Sequence, residues 1–275
     1  GDPALASSGH TVTRCRFTGL GRRFSSACGV LIMHASECEV SHCEIADLYY
    51  TGVSVGWVWG YAENAAHHNR ILKNHIHDLG HGLLSDMGGV YLLGRQPGTV
   101  VAGNVIHDVR SAHYGGWALY TDEGSSYITL EGNLCYNVSE NCFHQHYGEQ
   151  NTVRGNIFAF PGQAAVRFTR PETHLSVVFE NNLVLCDGKP AWAMREAQLA
   201  SGTVAAHGCR YVGVGEKHVS FGGFSLSYDE ARARGFDIDA ELLDDPFADA
   251  AHYDFRLKKS VPGFAEIPLP RTGPH

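Results

Sequence analysis

Lysine is nearly missing from this chain: of 275 residues 21 are basic, and only five of those are Lys. With a net charge of −8 and no basic stripe, a nucleic-acid partner is not expected. Long hydrophobic runs are also missing. No stretch of roughly 18 apolar residues occurs, so no membrane span is readable and no membrane partner is expected. The N-terminus lacks the charged, then apolar, then small-residue order of a leader. It begins at Gly1 and enters a strand-like stretch, TVTRCRF, almost at once, so a further N-terminal part is expected before it. Charge is low at 18% against 44% apolar content, which excludes a disordered chain. HExxH and CxxC spacings are absent, so the 17 His imply no metal site, and no cofactor is expected.

What is present is a repeat. The pattern apolar-x-x-[Asn/Cys]-x-apolar recurs at Cys15, Cys43, Asn74, Asn104, Asn133, Asn156 and Asn182, at intervals of 28, 31, 30, 29, 23 and 26 residues. Within each unit the local alternation has period two, as in TVTRCRF and YITLEGN, which argues strands. A strand unit of this length stacked on copies of itself is the signature of a parallel β-helix. Stacking places equal side chains about 4.8 Å apart, so Asn amides can hydrogen-bond up the column. Asn also tolerates the left-handed backbone expected at the corner. Cys15 and Cys43 fall on neighbouring turns, close enough for a disulfide, although two buried free thiols are the expected reading.

A second strand follows in each unit: GVSVG, GGVYLL, WALYTD, FHQHYG, AAVRFT and AWAM. If Val53, Val55, Val90, Leu92, Leu119, Val166 and Phe168 face inward, then Ser54, Tyr91, Tyr120, Asp122 and Arg167 face out, joined by His144 and His146. That face is expected to be a polar, aromatic and solvent-facing groove suited to sugar. The longer units carry extra residues in GYAENAAHHN, HGLLSDMG and RSAHYG, and insertions at one corner of a solenoid wall its binding face. The repeated His77-Asp78 and His107-Asp108 pairs suggest a structural ladder. The repeat fades after about Leu185. The expected architecture is therefore all-β: a parallel β-helix over residues 1–190 and a short helical or irregular cap over 191–275. Within the cap, Ser227 and Glu230 form a capping box, and Gly235 ends that helix.

Asp86 lies in a Gly-bracketed turn before its strand, and Asp122 with Glu123 ends the strand of the next unit. Each acid could simply cap a turn. Two carboxylates on adjacent turns are also what glycosidic cleavage needs, one protonated and one ionised. Asp86 and Asp122 are thus the expected catalytic pair, with Glu123 in reserve. Tyr91, Trp117, Tyr120, His144, His146 and Arg167 are expected to bind a carbohydrate substrate. A β-helix lyase or epimerase, with Arg167 neutralising a uronate, and a non-catalytic carbohydrate-binding module are the alternatives.

NHIHDLGHGLLSDMGGVYLLGRQPGTVVAGNVIHDV, YGGWALYTDEGSS, HQHYG and NTVRGNIFAF resemble the proteins of glycoside hydrolase family 141, as does the tail from Gly235 to Phe264. The resemblance covers most of residues 28–265, with Thr121 where relatives often have Pro. It implies a right-handed parallel β-helix acting on plant-type polysaccharide, with fucosidase or xylanase activity, and catalytic roles for Asp86 and Asp122. It also implies a longer region before this one. An extracellular or periplasmic setting is expected.

Overall fold

The structure is a computed structural model and describes residues 6–262, 264–268 and 270–274. The chain winds as a parallel β-helix with three long sheets. In each coil a strand of the first face, such as Val100–Ala102, turns a tight corner into the second face, Val105–Val109. A longer arc then leads to the third face, Gly116–Thr121, before the next coil starts at Thr129–Glu131. The faces hold eight, nine and nine strands in that order, and neighbouring coils pair in parallel without slipping. Successive apolar residues of the three inner surfaces make one core, among them Ile45, Ile76, Ile106, Val90 and Leu119.

The tight corner is where the column of amides sits. Asn74, Asn104, Asn133, Asn156 and Asn182 are all fully buried. Nδ2 of each of the first four donates to Oδ1 of the next at 2.9 Å. The same oxygen also accepts a backbone N–H from the coil before it. The corner N–H of Cys43, Asn74, Asn104, Asn133 and Asn156 is thereby satisfied, which removes the penalty of an orphaned buried donor there. The left-handed residue at this corner is not the column Asn, contrary to the sequence expectation. It is the residue before it: Gly103, Gly132 and Gly155, with Lys73 and Asn181 in other coils. The Asn must keep its side chain pointed at the column, so the neighbour absorbs the turn, and Gly does so without strain. Cys15 and Cys43 are free thiols rather than a disulfide.

The solenoid does not end at residue 190, a correction to the expected boundary. Val204–His207 and Arg210–Val212 continue the first two faces, and Glu241–Leu243 adds one further strand. Cys209 occupies the next corner, and its Sγ points to the Phe179 carbonyl as that of Cys43 points to Val12. In AHGCRY the usual first apolar residue is Ala206, which hides this coil from a pattern search. The terminal edge is covered by the helix Tyr228–Ala233, with the expected capping box of Ser227 and Glu230. Phe236 then packs edge-on against Trp192 with ring centroids 5.0 Å apart. The antiparallel pair Phe247–Asp249 and Asp254–Leu257 folds back along the outside of the second face, burying Phe247 and Phe255 against Tyr136 and Ile157.

On that same outer face His75, His77 and His107 form a stack continued by Tyr136, the ladder expected from the repeated His-Asp pairs. Asp78 and Asp108 are left-handed bulge residues that the strand pairing skips. Asp tolerates that conformation because its side chain can bond locally, here to the preceding His ring.

Candidate active site

The third face carries the expected alternation. Val53, Val55, Val90, Leu92 and Leu119 are fully buried inside, while Tyr91, Tyr120, His144 and Arg167 are register partners on the outer surface. Outward does not mean exposed here: Tyr91, Tyr120, Asp122 and His144 are buried and His146 and Arg167 half-buried, so the expected solvent-facing groove is corrected to a largely covered one. Tyr91, Tyr120 and Trp117, with the partly buried Trp57, make a separate apolar cluster outside the sheet. The longer arcs fold over the face and supply the cover: Trp57 and Trp59 from one, Asp86 from the second, Tyr114 from the third. Between them lies a pocket of about 550 Å³.

Both expected carboxylates reach this pocket, one from each of two adjacent coils. Asp86 has φ of 60°, immediately before the strand Met87–Leu92. Its backbone is pinned by N–H donation to Tyr114 O at 3.1 Å and by Tyr50 Oη donating to its carbonyl at 2.8 Å. Gly115 makes this seat possible. A Cβ there would lie 2.7 Å from both the N and Cα of Asp86, and its own φ of 77° is left-handed. Asp122 follows the strand Gly116–Thr121, and its N–H is held by Leu92 O at 2.8 Å.

Tyr120 Oη donates to Asp86 Oδ1 at 3.2 Å, and Tyr91 Oη donates to Asp122 Oδ2. Burial raises the pKa of Asp86 above the ordinary carboxylate value, and the charge of Asp122 adds to the rise. The Tyr120 hydrogen bond and His146 oppose it. Burial beside these acids likewise pushes the Tyr91 and Tyr120 phenols far up, so both remain donors. Tyr50 is pushed up to about 12 by the same causes.

The remaining expected residues all line the pocket, but in unequal ways. Glu123 accepts from Tyr147 Oη at 3.0 Å. His144 is 2% exposed and stacks on Trp117 with centroids 4.1 Å apart; burial holds its ring neutral. Trp117 packs on His144 and, at a tilt, on Tyr120, and its Nε1 donates to Asn141 Oδ1 at 3.2 Å. Its stacking face is thus taken by His144, and only 4% of the residue is exposed. Open aromatic surface comes instead from Trp59, 58% exposed and packed edge-on against Trp57. Trp57 in turn stacks on Tyr91. Sequence reasoning missed this pair, although GWVWGY sits in a long arc and could have signalled it.

It also missed Glu140, a fourth wall carboxylate only 5% exposed, whose Oε2 lies 4.0 Å from Arg167 Nη1. Nothing in its SENCF context departs from a plain turn. A pocket lined by Asp86, Asp122, Glu123 and Glu140, walled by aromatics and holding one carboxyl towards its protonated form, can donate a proton. It can also stabilise developing positive charge.

A parallel solenoid with its acids on one outer face fits a known class. The chain belongs to the right-handed β-helix family: the pattern described as a right handed beta helix region matches residues 4–185, which include the whole pocket. Among solved structures, one described as a glycoside hydrolase is 28% identical with a TM-score of 0.47. That match covers 66% of this chain and 26% of the other, so the chain spans well under two thirds of that protein's length. No curated protein matches the sequence.

Proposed function

We propose that the protein is a glycoside hydrolase acting on plant-type polysaccharide or oligosaccharide, with Asp86 as general acid and Asp122 as nucleophile or base. The observation that carries this reading is the meeting of two carboxylates from adjacent coils in one aromatic-walled pocket, where Asp86 is held towards its protonated form. The resemblance to glycoside hydrolase family 141 points the same way and suggests a fucosidase- or xylanase-like specificity.

Protonated Asp86 gives its proton to the glycosidic oxygen as the bond to the anomeric carbon breaks. Asp122, held by Tyr91 at Oδ2, attacks that carbon or activates water. Carboxyl groups about 5–5.5 Å apart favour the first route with retention, and about 6.5–9.5 Å the second with inversion. Buried Tyr91 and Tyr120 wall the acid with aromatic surface, and the exposed Trp59 offers a platform for a sugar ring.

Reducing-sugar release from xylan and pectic oligosaccharides tests the reading. Asp86→Asn and Asp122→Asn should each lower turnover by about 10²–10⁴-fold while leaving the fold intact. Near-full activity of both variants would overturn the assignment. An unsaturated product from the pectic substrate would replace the hydrolase with a lyase.

A further inference from the structure

Beyond Arg167 the outward column of the third face changes character. Tyr120, His144 and Arg167 are followed in register by Ala193 and Ser220. The loss of bulk leaves a second pocket, about 310 Å³, that shares Arg167 and Thr169 with the first. The two are compartments of one groove running along the solenoid axis. At about 4.8 Å per coil, the steps from Tyr120 to Ser220 span about 19 Å. One coil step is close to the length that one pyranose adds to a chain.

Charge divides this groove. Four carboxylates line the first compartment, whereas Arg167 and Arg195 line the second with no carboxylate among the described residues. Glu140, 4.0 Å from Arg167, stands at the boundary. Gln163 Oε1 accepts from Arg167 Nη1 at 3.2 Å and helps aim its guanidinium. At the far end Phe221 packs on Phe224, which is 48% exposed, so the compartment ends in apolar ring surface.

We infer that the second compartment is a subsite for an anionic sugar, a pyranose bearing a carboxylate or a sulfate. Its place relative to the cleaved bond rests on the hydrolase reading; its binding does not. A chain of net charge −8 repels polyanions in general, so an acid-free pocket with two Arg is where such a group can be held. The guanidinium fork matches a carboxylate or sulfate edge in two parallel hydrogen bonds, as an ammonium cannot. Arg195 is exposed at the start of the short helix Glu196–Ser201, free to reach over the groove.

Calorimetric binding to the Asp122→Asn protein, which removes turnover, tests this with three probes of equal length. They are trigalacturonate, its full methyl ester and a sulfated galactotriose. The acid should bind at least about tenfold more tightly than the ester, the worth of one charge-assisted hydrogen bond. Arg195→Ala should erase that difference without weakening the ester, and Arg195→Lys should restore part of it. An Arg195-dependent preference for the sulfated probe over trigalacturonate would support the subsite and identify sulfate as the source of the charge. Equal binding of acid and ester with no preference for the sulfated probe, no effect of Arg195→Ala on either anionic probe, or no binding of any probe would overturn the inference. An Arg195-dependent preference in a protein that cleaves nothing would sink the hydrolase reading alone. Cleavage of neutral chains with no preference for charged ones would sink the subsite alone.

Discussion

Tyr91 and Asp122 sit on neighbouring coils, and the phenol of the first donates to the carboxylate of the second. The arrangement is reciprocal. Tyr120, one strand on, donates back to Asp86 of the previous coil, and the two rings meet edge to face at 4.7 Å. Each acid is thus held by the tyrosine of the other's coil, so neither can be repositioned alone. The crossing also makes the two phenols differ in effect, which pH can reveal.

Tyr120→Phe removes the hydrogen bond that lowers the Asp86 pKa. With that support gone, burial and the Asp122 charge raise it further. The alkaline limb of kcat/KM, set by loss of the acid's proton, should move to higher pH. Tyr91→Phe should instead lower kcat across the whole profile, about 10-fold or more, because Asp122 loses a charge-assisted hydrogen bond. A pH–rate series on both variants checks this; an alkaline limb moving down in Tyr120→Phe would contradict it.

Gly115→Ala should damage activity more than stability. The new Cβ would need the space now filled by the Asp86 backbone, at a left-handed φ that Ala takes at a cost of about 1 kcal/mol. Asp86 must move, and a displacement of about 1 Å can cost about 10²-fold in rate. Kinetics beside a thermal melt separates the two effects.

Asn133→Ala should be among the most destabilising single changes in the solenoid. Asn133 accepts from both the backbone and side chain of Asn104, and donates to Val101 O and Asn156 Oδ1. Truncation removes all four bonds and leaves the buried Asn104 N–H without its acceptor, while Asn104 Nδ2 keeps Ile71 O and Asn156 Oδ1 keeps the residue-133 N–H. About 1–3 kcal/mol for the stranded donor and about 1 kcal/mol for each other lost bond give several kcal/mol in denaturant unfolding. An effect under 1 kcal/mol would show that the column is not a source of stability.

Acid should weaken the fold through buried histidines. Burial lowers His75 and His218 from the ordinary 6.5 to about 4. The folded value lies below the unfolded one, so this stabilisation is complete above pH 6.5 and is lost as pH falls through about 4. His218, 1% exposed, should account for about 3 kcal/mol of that loss. His75 should account for less, since water reaches part of its ring. Melting temperature should therefore drop between these pH values, and His218→Phe should flatten part of the drop.

The coil count to Asn182 and the inside–outside alternation were readable because a stacked coil repeats its constraints. Each Asn needs an equal partner one coil away, and each strand must turn its apolar residues inward, so both leave a period in the sequence. Asp86 and Asp122 were readable for a related reason: they flank two strands of known register. The left-handed corner residue was assigned one place too late, since an Asn column is visible in sequence while the conformation of its neighbour is not. The coil around Cys209 escaped because Ala206 satisfies packing without matching the apolar pattern.

What only the tertiary structure decided is the enclosure of the site. Trp59, Glu140 and the burial of Tyr91 and Tyr120 depend on how three arcs of unequal length fold over one face. Such contacts join residues from coils with different insertions, so they carry no period. Local propensity does not encode them; they arise when side chains that the solenoid leaves on its outer surface find apolar cover of their own.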